Sequence, residues 1–383
     1  MKLTFDQRRA GCADGAYTVT GGIGDACLLY WADGNGALSD WACFGCFPLS
    51  PDGDGAYRME GERGIPEQAT HVLARGINAD GVQEEILVSL PMREETPVGE
   101  ASLRFLIMTD LHLSRKPWKI RQALEMGKGY DGILISGDLV NDGRPEQLAQ
   151  FWQCVLDKTG DTPVFAVTGN HDYPHYPFPL VPVPKGIHNY PSLQEHLLNR
   201  GEQLGCTCEQ DPCGAYYVSW GSAEVIGLNA VTHFRQFKFP DGAQLDWLEK
   251  HLQGSTAARH IILCHAPLFA HRAYKRPGDQ PYLNRDRQLQ QIVDRHRGVV
   301  FVAGHTHLSM NGGESCVERD DRGNIYLNAG SIRPTTMKED DPFQPEDWKN
   351  GNVVELTIGE QHTVITAVSV GETKRFPRGY YRF

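Results

Sequence analysis

From Leu103 onward, short apolar runs alternate with longer segments in which apolar residues return every third or fourth position. The runs LRFLIM, GILIS, VFAV, HIILC and VVFVA carry almost no internal polar residues, as expected of strands covered on both faces. Leu148, Phe151, Trp152, Val155 and Leu156 follow Pro145 at helical spacing, and Leu245, Leu248 and Leu252 follow Asp241 and Gly242 in the same way. This alternation predicts an α/β architecture. The first hundred residues read differently. AYTVT, ACLLYWA, THVLARGI and EEILVSL are β-prone runs punctuated by Gly, Asp and Asn, which predicts a small antiparallel β-domain. PMREETPVGEAS is a polar linker, so the expected division is a β-domain over 1–98 and a larger domain over 103–383.

Composition supports this picture. The 383 residues suit one large domain with a companion, and 40% hydrophobic with 22% charged residues is enough to bury a sizeable core. The formal charge of −11 argues against a nucleic-acid binder, which needs a basic footprint to displace counterions. No apolar run approaches a membrane span, and MKLTFDQRRAGCADG lacks an apolar leader, so the expectation is a cytoplasmic protein. The ten cysteines are scattered, which suits a reducing compartment. Cys43 and Cys46 form a CxxC, and Cys206, Cys208 and Cys213 cluster; the matched four-ligand spacing of a structural zinc site is missing, and whether the cluster binds a metal stays open. The proline-rich YPHYPFPLVPVPKG begins at Tyr173.

The chemistry lies at the strand ends. Each apolar run passes directly into a polar cluster: TDLHLS, SGDLVND, TGNHDYP, CHAPLF and AGHTHLS. Loops at the carboxyl ends of strands in an α/β sheet gather at one edge, so Asp110, His112, Asp138, Asn170, His265, His305 and His307 are expected to converge. Their carboxylates, imidazoles and amide oxygen suit hard to borderline divalent metals, and there are too many for one tetrahedral ion. Two ions sharing one carboxylate use the set economically. Gly137, Gly169 and Gly304 each stand just upstream of a ligand, where the backbone must come close to the site. A lone Asp or His at a strand end is usually a cap or turn former. Packing does not call for five such ends in succession.

The ordered series DxH, GD, GNHD, a His after a strand, and GHxH resembles the calcineurin-like metallophosphoesterase superfamily over roughly residues 103 to 335. The resemblance implies a four-layer αββα sandwich. It also implies that Asp110, His112 and His307 hold one ion, that Asn170, His265 and His305 hold another, and that Asp138 bridges them. Such a pair lowers the pKa of a shared water, so that a bridging hydroxide attacks phosphorus in line with the leaving oxygen. His171 is then the candidate to protonate the leaving group, with Asp172 expected to orient it. Arg333, after the NAGS turn, is a candidate grip on a substrate phosphate. The ions could be Mn, Fe, Zn, Co or Ni.

GNHD, the GDL turn, IGLN and AQLDWLEKHL look like the cyclic-nucleotide phosphodiesterase-like branch, which implies a small phosphodiester such as a cyclic nucleotide or nucleotide derivative as substrate. Two alternatives stand beside it: a phosphomonoesterase or protein phosphatase, and a non-catalytic binding module of the same fold. Purple acid phosphatases resemble the chain too, but they place Tyr where this chain has Asn141, and serine/threonine phosphatases have GNHE where it has Asp172. Sequence leaves the leaving group, the native metals and the oligomeric state open.

Overall fold

The computed structural model describes residues 1–7, 15–39, 42–59, 69–90, 102–113, 117–173, 186–233, 236–273, 275, 277–308, 310, 316–333, 351–359, 362–370 and 375–383. The linker at 91–101 and most of the proline-rich segment lie outside these residues.

Two mixed sheets pack face to face. In the first, Val164–Ala166, Gly132–Ile135 and Leu103–Met108 run parallel, followed in space by antiparallel Asn352–Ile358, Thr363–Ser369 and Arg375–Arg382. In the second, Ala223–Gly227, Arg259–Leu263, Val299–Ala303 and Ile325–Asn328 are parallel. Antiparallel Tyr216–Ser219 and Thr207–Gln210 extend one side of it, and Val317–Arg319 closes the other.

Side chains alternate across a strand, so each parallel strand feeds two cores. Phe105 and Ile107 pack between the sheets with Val225, Ile261, Leu263, Val300 and Val302. Their neighbours Leu106 and Met108 face outward onto the helices Trp118–Met126, Pro145–Lys158 and Tyr190–Gln203. The outer face of the second sheet is covered by Ala243–Gly254 and Asp286–Arg295, through Leu245, Leu248, Leu289 and Ile292. The result is the four-layer αββα sandwich. Leu148, Phe151, Trp152 and Val155 are buried as the helical spacing predicts, whereas Leu156 is 42% exposed, one position past the buried stripe. Tyr381, near the end of the chain, is buried in the core between the sheets.

The first ninety residues build antiparallel sheets with a core of their own. Lys2–Gln7, Gly15–Thr20 and Gly55–Met59 form one sheet. Ala26–Asp33, Gly36–Ala37, Cys43–Pro48, His71–Asn78 and Gly81–Ser89 form the other. Between them Trp31 stacks on Phe44, ring centroids 4.1 Å apart, with Tyr17, Val19, Leu29 and Val72 around the pair. Cys43 is buried and Cys46 exposed on the same strand, so the CxxC does not present both thiols to one ion. Among the described residues no helix is long and apolar enough to cross a membrane.

One buried amide ties the sheets to the GNHD segment. Asn229, in the IGLN run, accepts the Thr168 N–H through Oδ1 at 2.9 Å. Its Nδ2 donates to Gln194 Oε1 at 2.9 Å and to the Gly214 carbonyl at 2.8 Å. Asn229→Ala strands three partners at once, two of them buried, so it should lower unfolding free energy by about 2 to 3 kcal/mol in denaturant titrations. A loss below about 0.5 kcal/mol, within the range of an ordinary surface substitution, would contradict this role.

Candidate metal centre

Parallel strands end at the same edge, and here both sheets deliver ligands to it. Asp110 and His112 follow Leu103–Met108, Asp138 follows Gly132–Ile135, and Asn170 follows Val164–Ala166. His265 follows Arg259–Leu263, and His305 and His307 follow Val299–Ala303. Asp110, Asp138 and His265 are each no more than 1% exposed.

The donor atoms face one another. Asp138 Oδ2 is 3.3 Å from His265 Nε2 and 3.5 Å from His112 Nε2. Asp110 Oδ1 is 3.1 Å from His307 Nε2 and 3.9 Å from His265 Nε2. His112 Nε2 and His307 Nε2 are 3.0 Å apart, and His305 Nδ1 lies 3.0 Å from Asn170 Oδ1. One donor atom each from Asp110, His112, Asp138 and His307 lies within 4.8 Å of all the others. Oxygen and nitrogen ligands at about 2.0 to 2.2 Å from an ion stand about 3 Å or more from each other, so these spacings suit a shared cation.

Hydrogen bonds aim the rings. His265 Nδ1 lies 2.6 Å from the Ser136 carbonyl, and His307 Nδ1 lies 3.2 Å from that of Arg333. Donation from Nδ1 leaves Nε2 as the lone-pair nitrogen, the usual way a second partner prepares a ligating histidine. Asp138 accepts the His171 N–H through Oδ1 at 2.9 Å, which leaves Oδ2 for the cluster. Buried Asp138 Oδ2 and His265 Nε2 have no hydrogen-bond partner among the described residues. Two orphaned buried polar atoms directed at each other are what a ligand pair needs and what a packed core avoids. The residues fit a divalent cation.

The electrostatics agree. Burial alone would raise the Asp110 and Asp138 carboxyls, yet the imidazoles beside them outweigh it and hold both below the ordinary range. Burial likewise opposes charge on His265, but Asp138 and Asp110 lift it to about 9. His112 and His305 are pushed down to about 4 and about 3, mainly by burial. The arrangement holds ionised carboxylates beside histidines from which a cation displaces at most a proton.

The backbone is bent to make this possible. Asp110, His112, Asp138, His305 and His307 have φ of 52°, 46°, 53°, 68° and 53°, and among the described residues no other non-glycine residue has positive φ. The left-handed region is disfavoured for side chains with a Cβ. Gly169 leaves room: a methyl group there would collide with the Asp138 carboxylate. One at Gly137, itself at φ 87°, would lie 2.6 Å from His265 Nδ1.

Two neighbouring residues stand differently from the sequence expectation. Asp172 does not serve as the orienting partner of His171. Its oxygens accept the backbone N–H groups of Val140 at 3.0 Å and Gly169 at 2.7 Å, while His171 Nδ1 lies 2.7 Å from the Asn141 carbonyl. Burial, with the charge of Asp138 next, pushes the Asp172 carboxyl up to about 8. Arg333 meets the site through its backbone carbonyl, and its half-buried guanidinium stands close enough to Lys119 to repel it. Burial and that repulsion bring Lys119 down to about 8. Sequence gave no signal for Lys119, since only folding sets its helix beside the turn that follows the last metal motif.

A model described as calcineurin-like phosphoesterase matches residues 103–309. A protein named "Probable cyclic nucleotide phosphodiesterase" from Synechococcus is 24% identical over 267 residues, covering 66% of this chain and 88% of that protein. A purple acid phosphatase from yellow lupin seeds aligns at 14% identity over 99% of this chain and 73% of its own, with a TM-score of 0.47. Vacuolar Protein Sorting 29 from Cryptosporidium parvum aligns at 13% identity over 74% of this chain and 97% of its own, with a TM-score of 0.35.

The crowding at Gly169 predicts that Gly169→Ala displaces Asp138. Metal content by elemental analysis should fall, and phosphoesterase activity should drop about 10-fold or more, since a small misplacement at a reacting centre costs that much. Full metal content with undiminished activity would contradict the packing described.

Proposed function

The chain belongs to the calcineurin-like phosphoesterase family, and from that premise we propose that it hydrolyses small phosphodiesters, such as cyclic nucleotides or nucleotide derivatives, with two divalent ions. The observation that carries the metal reading is the orphaned pair Asp138 Oδ2 and His265 Nε2 at the centre of the donor cluster. Asp110, His112 and His307 would hold one ion, and Asn170, His265 and His305 the other. Asp138 would serve both, because His112 and His265 face the same oxygen. Mn, Fe, Zn, Co or Ni would suit these donors. When bound, such ions supply a nucleophilic water of lowered pKa and offset charge on the phosphoryl oxygens.

The chain's own residues do the rest. His171 packs against His112 with ring centroids 4.5 Å apart, and its Nδ1 is fixed by the Asn141 carbonyl. The opposite nitrogen, Nε2, is then the one through which it would hand a proton to the leaving oxygen. Asp172 would act at one remove, tying the Asn170 turn to the Asp138 loop through its two backbone bonds. The Arg333 guanidinium would grip a non-bridging phosphate oxygen.

The likeness to the Synechococcus protein supports a diester. The pairing of Lys119 with Arg333 favours a second reading, a phosphomonoesterase, because a dianion is better served by two cations. The division at 1–98 and 103–383 is part of the proposal, supported by an N-terminal core that ends at Leu90. A cytoplasmic location is also part of the proposal, supported by the scattered placement of the cysteines along the chain.

Protein reconstituted with Mn or Zn and given a panel of diesters, cyclic nucleotides and monoesters should cleave diesters preferentially. Cleavage of monoesters alone would decide for the second reading. With the preferred ester class, His171→Ala should barely slow p-nitrophenyl leaving groups, which need no proton, yet cost about 100-fold or more on alkoxide leaving groups. Equal losses on both would assign His171 to the phosphoryl oxygens or the metal site instead.

A further inference from the structure

After His265 the chain runs on to the helix Asp286–Arg295 and, on the way, returns to the metal centre at Tyr282. The Tyr282 ring packs nearly perpendicular to His305, with centroids 4.4 Å apart and an interplanar angle of 81°. Phe237 packs against the same imidazole at 5.0 Å, and its N–H donates to the Tyr282 carbonyl at 3.0 Å. The two aromatics differ in one respect: Phe237 is fully buried, whereas Tyr282 is only half-buried.

Behind Tyr282 lies an expensive support. The Arg272 guanidinium carbon is 4.8 Å from the Tyr282 ring centre and 5.2 Å from that of Phe269. Arg272 is 3% exposed and ion-paired with Asp279, and its Nε has no hydrogen-bond partner among the described residues. A buried guanidinium with an unsatisfied nitrogen costs stability. Its cation–π contacts fix the plane of the Tyr282 ring. Packing against His305 would need only an apolar wall, which Phe237 already supplies. A held, half-exposed aromatic beside a metal-ligating imidazole is instead suited to stacking on a flat group of a ligand.

We infer that Tyr282 is the wall against which an aromatic or heterocyclic ester group of the substrate stacks, so that the substrate class is nucleoside phosphoesters, with Arg272 as the positioning residue. This rests on the phosphoester reading but not on the choice between diester and monoester. His171 packs on His112, and Tyr282 packs on His305, ligands assigned to different ions. The leaving group and the stacked group are therefore served from different flanks of the cluster.

Binding separates this inference from the hydrolytic reading. The full-length Mn-loaded protein is titrated calorimetrically with methylphosphonate and with a thymidine 5′-methylenephosphonate, whose P–C bond resists hydrolysis. Wild type should bind the thymidine compound more tightly. Tyr282→Leu, which keeps bulk against His305, should weaken the thymidine compound about 10-fold and methylphosphonate less than about 2-fold, while Tyr282→Phe stays near wild type. Arg272→Met should shift the same selectivity in the same direction. Equal weakening of both ligands by Tyr282→Leu, no weakening of either, or a wild type that does not prefer the thymidine compound would each overturn the inference. These outcomes do not depend on which esters the protein cleaves, so a failed diester reading would be seen separately in the substrate panel.

Discussion

The structure turns on one constraint: two buried carboxylates, held within a few ångströms of four imidazoles, need positive charge among them. Asp110 and Asp138 are removed from water at the junction of both sheets. Without positive charge nearby, buried carboxylates would take up protons. Here the imidazoles keep them ionised, and Asp138 turns one oxygen to the loop and the other to two histidines from separate sheets. The sandwich explains how this is possible. Each sheet ends its parallel strands at one edge, and packing the two sheets together brings the two sets of loops into contact.

The arrangement is costly in backbone conformation as well as in charge. Left-handed conformations of residues with side chains typically cost about 1 to 3 kcal/mol each, and they persist only where the surroundings over-determine them. Five of the seven expected ligands adopt one. A fold that concentrates this strain on residues with metal-binding side chains, while the intervening core follows ordinary alternation, has placed the cost at the site of function. A divalent ion bound here would supply the compensation, since ion binding offsets both the strain and the desolvation.

Much of this could be read from sequence, for identifiable reasons. Fully buried parallel strands leave uninterrupted apolar runs, and a polar side chain at the end of each run stands out against them, as Asp110, Asp138, Asn170, His265 and His305 do. Edge and companion strands such as Lys2–Gln7, Cys43–Pro48 and Gly55–Met59 are short or mixed with glycine, and carry no comparable signal. The adjacency of His171 and Asp172 misled, because Asn170–Asp172 is a 3₁₀ turn. Successive side chains in such a turn point about 120° apart, so Asp172 reaches backbone rather than its neighbour's ring. Lys119 and Tyr282 were illegible, since their importance lies in what they stand beside.

In the proposed centre one carboxylate, Asp138, would serve two ions at once. Electron paramagnetic resonance of the Mn-loaded protein tests it most directly, because two Mn(II) ions bridged by a common ligand are exchange-coupled whereas separate ions are not. Wild type should give a coupled-pair spectrum that gives way to isolated Mn(II), or to loss of bound metal, in Asp138→Asn. An isolated-ion spectrum in fully loaded wild type, or a coupled spectrum that survives Asp138→Asn unchanged, would contradict it.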